Sequence, residues 1–162
     1  MGGSGDFYYP VIDSTNTRAK QLAEEDTLPE RSWSPDSRMQ AEAEEEEALS
    51  PRRAGIFMTL MLKPELSLVN APMLTLVAAL AVATGFGRFV IWKAKIKWPN
   101  DIVVNGKKIC GILTEMSTEI DYINHVVIGV GINVNQDTFP DDIKETASSL
   151  KMELGKRIKR SG

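Results

Sequence analysis

The sequence predicts an α+β domain: a mixed, mostly antiparallel sheet with helices packed on one face. Two helical patterns lie early in the chain, and a run of short strand patterns follows residue 91. Asn105-Gly106, between two of those strands, is a strong hairpin signal, since both central positions of a type I′ turn need positive φ.

The composition bounds what such a domain does. The chain has 162 residues, 43% apolar and 25% charged, which suits one ordinary soluble domain. With 19 Lys+Arg against 22 Asp+Glu the net charge is −3, so no basic field exists to hold a nucleic-acid backbone. A single cysteine, Cys110, and a single histidine, His125, exclude an intramolecular disulfide framework and a Cys/His zinc site. A reducing, cytoplasmic setting fits.

Residues 1–11 read as a flexible lead-in without a signal-peptide pattern. Ser14-Thr15-Asn16 then precedes a helix over residues 16–25, in which Ala19, Leu22 and Ala23 share a face while Lys20, Glu24 and Glu25 point out. Pro29 ends it. Residues 30–53 have almost no apolar periodicity, contain Pro35 and Pro51, and carry an acidic run, so they read as a disordered or loosely attached loop. Residues 56–62 read as a strand and 71–84 as a helix. The uncharged stretch 70–87 approaches membrane-spanning length, but Pro72, Thr75, Thr84 and Gly85 interrupt it, so a buried core helix is expected and no membrane partner. Strands follow at 95–98, 102–104, 108–116 and 124–134, with a second hairpin turn at 119–122. The apolar runs 109–113 and 126–130 belong to interior strands.

Four clusters could carry chemistry. Lys97-Trp98-Pro99-Asn100-Asp101 puts a cation, an aromatic, an amide and a carboxylate at one corner, which is either a functional cluster or a proline-fixed turn satisfying its own backbone. Lys107-Lys108 follows the hairpin and, alone, is a solvated turn. Gly129 and Gly131 interrupt a β-branched strand, where glycine marks a bulge or a close backbone approach by a ligand. Ser14-Thr15-Asn16 is by default a helix cap.

In this order, the pieces resemble the catalytic domain of biotin protein ligases. The resemblance runs over residues 12–150 and rests on Ser14-Thr15-Asn16, Ala54-Gly55-Ile56-Phe57-Met58 and Lys97-Trp98-Pro99-Asn100-Asp101. Further along it rests on Lys108-Ile109-Cys110-Gly111-Ile112-Leu113-Thr114-Glu115, Gly129-Val130-Gly131-Ile132-Asn133-Val134-Asn135 and Ala147-Ser148-Ser149-Leu150. It implies a class II aminoacyl-tRNA synthetase-like fold and a two-step reaction. ATP activates biotin as biotinyl-5′-AMP, and a lysine of a biotin carboxyl carrier domain takes the acyl group. By that pattern Lys108 meets the biotin carboxylate and the reacting phosphate, and Lys97 adds positive field. Asn100 and Asn133 hold ATP and its Mg²⁺, while Asp101 orients and helps to deprotonate the incoming lysine. Ser14, Thr15 and Asn16 lie at the biotin end. There Thr15 and Asn16 hydrogen-bond the ureido ring, and Gly111, Leu113, Gly129 and Gly131 shape the pocket. A homodimer through a sheet edge occurs in such ligases. Residues 151–162 read as a truncated C-terminal tail, and no DNA-binding segment supports a repressor role.

One departure stands out. These ligases carry a loop of the form G-R-G-R-x-G-R between the first helix and the strand near Ile56, but here Ala41-Glu42-Ala43-Glu44-Glu45-Glu46-Glu47 occupies that place. A polyanion beside an ATP site repels the substrate instead of clamping it. Such a loss leaves an impaired ligase, a defective biotin-binding module or a partly folded remnant. Permitted codons for residues 40–48, read one frame over, can spell Gly-Arg-Gly-Arg-Arg-Gly-Arg-Ser, so a frameshift entering near Glu30 and undone near Leu49 would explain the segment. The coding DNA tests this: the offset frame should spell the arginine loop, and codons that cannot do so end the explanation.

Overall fold

The computed structural model describes residues 7–9, 13–24, 38–41, 54–89 and 93–159. Among the described residues seven strands form one sheet: β1 (Phe7–Tyr9), β2 (Arg38–Ala41), β3 (Gly55–Leu62), β4 (Lys95–Lys97), β5 (Asp101–Val104), β6 (Lys107–Thr118) and β7 (Ile123–Asn133). Their spatial order is β1-β2-β3-β7-β6-β5-β4. Only β1 and β2 pair in parallel, so the sheet is mixed and mostly antiparallel, as expected. The long strands β6 and β7 are interior, which agrees with their unbroken apolar runs.

The hairpin signals place the strands correctly. Asn105 has φ 51° and Gly106 φ 82°, the left-handed pair that a type I′ turn requires. At the other end of β6 the Glu119 amide donates to the Tyr122 carbonyl at 2.9 Å, closing the second hairpin.

Alternation along the strands sorts the side chains into two layers. On one face Ile102, Val104, Ile112, Val126, Ile128 and Val130 form the main core, each burying a branched side chain worth about 1.5–3 kcal/mol. The helix α2 (Met73–Phe89) packs there through Ala79 and Phe86, with Leu74, Ala78 and Val82 half-buried beside them. The short helix α3 (Leu150–Leu154) adds Leu150; Ser149 caps its start by accepting from the Met152 amide at 3.2 Å, and Gly155 ends it at φ 67°. On the opposite face α1 (Thr15–Glu24) lays Ala19 and Leu22 on Met61 and Val127. Helices therefore cover both faces, not one. The reason is parity: Met61 and Val127 point away from Leu60 and Ile128, and their apolar surface needs its own cover.

Four further expectations change. β1 lies within the segment read as a lead-in, and β2 within the segment read as a loop; the remaining parts of residues 1–11 and 30–53 fall outside the described residues. The C-terminal stretch is not a bare tail, since α3 runs to Leu154 and Ile158 packs against the core. α2 is not a buried helix. Residues 68–87 are apolar and long enough to cross a membrane by composition, yet α2 buries one stripe on the sheet and leaves Val77 59% and Leu80 61% exposed.

His125, on β7, is buried, and burial is the main reason its pKa lies below 6.5; nearby Glu24 pulls it up, while Lys63 and Lys20 push it further down. A base with a depressed folded pKa contributes stability that is present above the unfolded value and lost as pH falls through the folded one. The melting temperature should therefore drop between about pH 7 and pH 5. His125→Gln should flatten that drop in thermal melts; an unchanged slope would show that His125 does not set it.

Candidate functional site

The register of the sheet places the glycines together. Directly opposed residues share a face, so Asp101, Gly111, Gly131 and Phe57 form one row across β5, β6, β7 and β3. Leu113, Gly129 and Thr59 form the next, and Glu115, Val127 and Met61 the third. α1 covers the second and third rows and begins at the second. The first row is left as a trough floored by Gly111 and Gly131, with Lys108 and Asp101 at one side and Phe57 at the other.

Lys108 reaches this face because of a bulge. Ile102 opposes Cys110 while Val103 opposes Lys108, so Ile109 is an extra residue on β6. In a regular strand Lys108 would share the face of Cys110, two residues on, and point into the core. The extra residue turns it over. A Cβ placed on Gly111 would meet Lys108 Cε at 2.9 Å and Nζ at 3.0 Å, so glycine is what lets the lysine lie across the trough. Lys108 Nζ sits 2.7 Å from Asp101 Oδ1. The Lys108 backbone is pinned as well, donating to the Thr146 carbonyl at 2.7 Å and accepting from the Ser148 amide at 2.9 Å. That short parallel bridge is why the Ala147-Ser148-Ser149-Leu150 stretch belongs to the site.

The two asparagines have one hydrogen-bonding pattern. Asn100 Nδ2 donates to the Ile112 carbonyl at 3.0 Å, and Asn133 Nδ2 donates to the Ser148 carbonyl at 3.0 Å. Each amide nitrogen is tied to backbone, which turns the amide oxygen outward; among the described residues that of Asn133 meets Gln136 Nε2, at 3.4 Å. Lys97 pairs opposite Asp101 in the ladder and is exposed, as is Trp98. A cleft of about 350 Å³ runs from this corner along Asn100, Leu113 and the start of α2.

At the other end Ser14 is a helix cap, its Oγ accepting from the Thr17 amide at 3.3 Å. Asn16 is 6% exposed and fully occupied as a donor: Nδ2 gives to the Leu113 carbonyl at 3.3 Å and to Glu115 Oε2 at 2.9 Å. Its Oδ1 accepts from Thr59. Asn16 therefore has no N–H left for a ligand, and its role is to hold α1 on the sheet. Gly129 serves that contact: a Cβ there would lie 2.8 Å from Asn16 Cγ, and no register shift occurs at Gly129 or Gly131. Neither a bulge nor a ligand accounts for Gly129 here: what approaches it closely is the Asn16 side chain of the same protein.

Cys110 is 1% exposed and burial pushes its thiol up to about 12, with Lys108 opposing and Asp101 adding to the shift, so it is no nucleophile. Among the described residues no group of three or more His, Cys, Asp or Glu could hold a metal.

Residue reasoning missed Thr59, Glu115 and Lys20 as members of the site. Thr59 did leave a signal, as a hydroxyl inside an otherwise apolar strand.

The fold is the class II synthetase-like fold of the biotin protein ligases. The chain belongs to the biotin/lipoate A/B protein ligase family, whose model matches residues 8–133. It is 51% identical over 110 residues to the bifunctional ligase/repressor BirA of Bacillus spizizenii, a match covering 67% of this chain and 34% of that protein. It is 40% identical over 78 residues to the biotin–[acetyl-CoA-carboxylase] ligase of Paracoccus denitrificans, covering 47% of this chain and 32% of that protein. The crystal structure of the Aquifex aeolicus biotin protein ligase superposes with TM-score 0.73 at 27% identity, covering 99% of this chain and 63% of that one. The same ligase in complex with biotin and ATP gives 0.73 at 25% identity, covering 98% and 64%. The chain thus spans about a third of these curated relatives.

Gly129→Ala should cost about 1–3 kcal/mol, because the new methyl overlaps a buried, hydrogen-bonded amide. Gly131→Ala, whose Cβ would meet only the Phe57 ring at 3.4 Å, should cost far less. Urea denaturation of both variants checks the difference, and equal costs would contradict the Asn16 contact.

Proposed function

We propose that this chain activates biotin with ATP as biotinyl-5′-AMP and passes the acyl group to a lysine of a biotin carboxyl carrier domain. The observation that carries the reading is Lys108, turned by the bulge onto a glycine-floored trough and held beside Asp101. Two anions, the biotin carboxylate and the α-phosphate, must meet there, and the fixed ammonium offsets their repulsion. The carboxylate oxygen forms a bond to phosphorus, and the bond to the leaving pyrophosphate breaks. In the second step the acceptor amine attacks the acyl carbon and AMP leaves. That amine, with an ordinary pKa of about 10.4, has to lose a proton, and Asp101 is placed to take it.

Mg²⁺ fits as a companion of ATP. It prefers oxygen ligands and is held mainly through phosphates and water, and the amide oxygens of Asn100 and Asn133 are of that type. Lys97 adds positive charge at the same corner. The trough and Leu113 suit the apolar part of biotin, and Thr15 faces its ureido end. The Paracoccus denitrificans relative is a biotin–[acetyl-CoA-carboxylase] ligase, which supports a carboxylase carrier domain as the partner. A cytoplasmic location, a homodimer, and no nucleic-acid or membrane partner complete the reading; the net charge of −3 supports the absence of a nucleic-acid partner.

A second reading is favoured by the acidic run at residues 42–47, where these ligases place arginines: a domain that binds biotin without forming the adenylate. Biotin-dependent pyrophosphate release from ATP and Mg²⁺, without acceptor, separates the two. Release above background, lost by at least about 100-fold in Lys108→Ala, is expected of the ligase. Biotin binding without release selects the binding module, and neither activity in a folded chain removes both.

A further inference from the structure

A chain of hydrogen bonds runs under the start of α1, and its direction is set where Asn16 meets two acceptors, Glu115 at 2.9 Å and, by a longer bond, the Leu113 carbonyl at 3.3 Å. Glu115 takes Lys20 Nζ on Oε1 at 2.8 Å and Asn16 Nδ2 on Oε2 at 2.9 Å. Its pKa is held below the ordinary carboxylate value by the hydrogen bond from Lys20 and then that from Asn16, against a smaller opposing effect of burial. An ionised carboxylate only accepts, so the Asn16 atom facing it is the amide nitrogen. Asn16 Oδ1 is then turned to Thr59, whose hydroxyl lies 2.7 Å away. Thr59 is completely buried and owns a single hydroxyl proton, which goes to Asn16. Thr59 Oγ1 must accept from Thr15, at 2.6 Å. The only hydroxyl proton of Thr15 is thereby directed inward.

We propose that Glu115 is a positioning residue which, through Asn16 and Thr59, makes Thr15 an obligate hydrogen-bond acceptor at the α1 end of the trough. The group admitted there must carry an N–H or O–H donor. The ureido nitrogens of biotin are such donors, and that identification rests on the ligase reading; the polarity of the relay does not.

Glu115→Gln tests it. Lys20 keeps the new amide's oxygen, so the new nitrogen faces Asn16, donor against donor. The donor clash at the shorter 2.9 Å contact outweighs the longer 3.3 Å bond to the Leu113 carbonyl, so Asn16 turns over at the loss of that bond, Thr59 and Thr15 reverse, and Thr15 offers a proton to a ligand that also offers one. Adding Lys20→Met frees the glutamine to present its oxygen to Asn16 and restores the original direction. By calorimetric titration with biotin on the full chain, Glu115→Gln should weaken binding by about 10-fold or more while remaining folded. The double variant should return to within about threefold of the original chain. An unchanged affinity in the single variant overturns the proposal. So does a double variant as weak as the single one, which is what a merely structural Lys20–Glu115 pair would give.

The ligand-free protein supplies an independent reading by NMR. The Asn16 side-chain NH₂ protons should contact Glu115 in the original chain and Thr59 in Glu115→Gln. Contacts to Thr59 in the original chain overturn the relay. The expected contacts in a chain that does not bind biotin support the relay and remove the ligase reading instead.

Discussion

The approach of Asn16 to Gly129 is the contact on which the site depends. A buried amide lies against a strand at a point where no side chain exists, and three hydrogen bonds hold it there. It joins the first turn of α1 to β6 through Leu113 and Glu115, and to β3 through Thr59. Where α1 begins decides which row of the sheet is covered and which is left open. Apolar packing of Ala19 and Leu22 on Met61 and Val127 supplies much of the attraction, but hydrophobic contact is non-directional and cannot choose a helix's endpoint. The directional bonds of Asn16 do so.

The other side of the trough is governed by backbone. One extra residue, Ile109, reverses the direction of Lys108 without disturbing the core, because Ile109 and Cys110 both remain buried. The bulged strand is then gripped from outside by Thr146 and Ser148, so the lysine projects from a segment held on two edges. The ion pair with Asp101 is partly solvated, and pairs of that kind contribute little to stability. Its significance is placement. It keeps a cation and a carboxylate within one hydrogen-bond length at one side of the trough.

α2 shows the limits of composition as a guide to burial. Its apolar residues occupy nearly the whole circumference, yet the sheet can cover only one stripe, through Ala79 and Phe86. Val77 and Leu80 remain outside. A helix pattern records how apolar each side is; how much partner surface exists to meet it depends on elements far away in the chain.

Much of the architecture was legible from local chemistry. Asn105-Gly106 specified its hairpin because the left-handed backbone pair is cheap for those residues and costly for others. β-branched runs specified the interior strands, and Ser14 its cap. Lys97-Trp98-Pro99-Asn100-Asp101 and the Lys108 stretch also marked the family before any contact was known. What the sequence could not determine was facing. That Lys108 points to the trough depends on the register of β5 against β6, that α1 needs its own face on the parity of β3 and β7, and that Asn16 is occupied on Thr59 and Glu115, which are 43 and 99 residues distant. Propensity acts over a few residues and names the element; which way its side chains point is settled only when strands from distant parts of the chain pair.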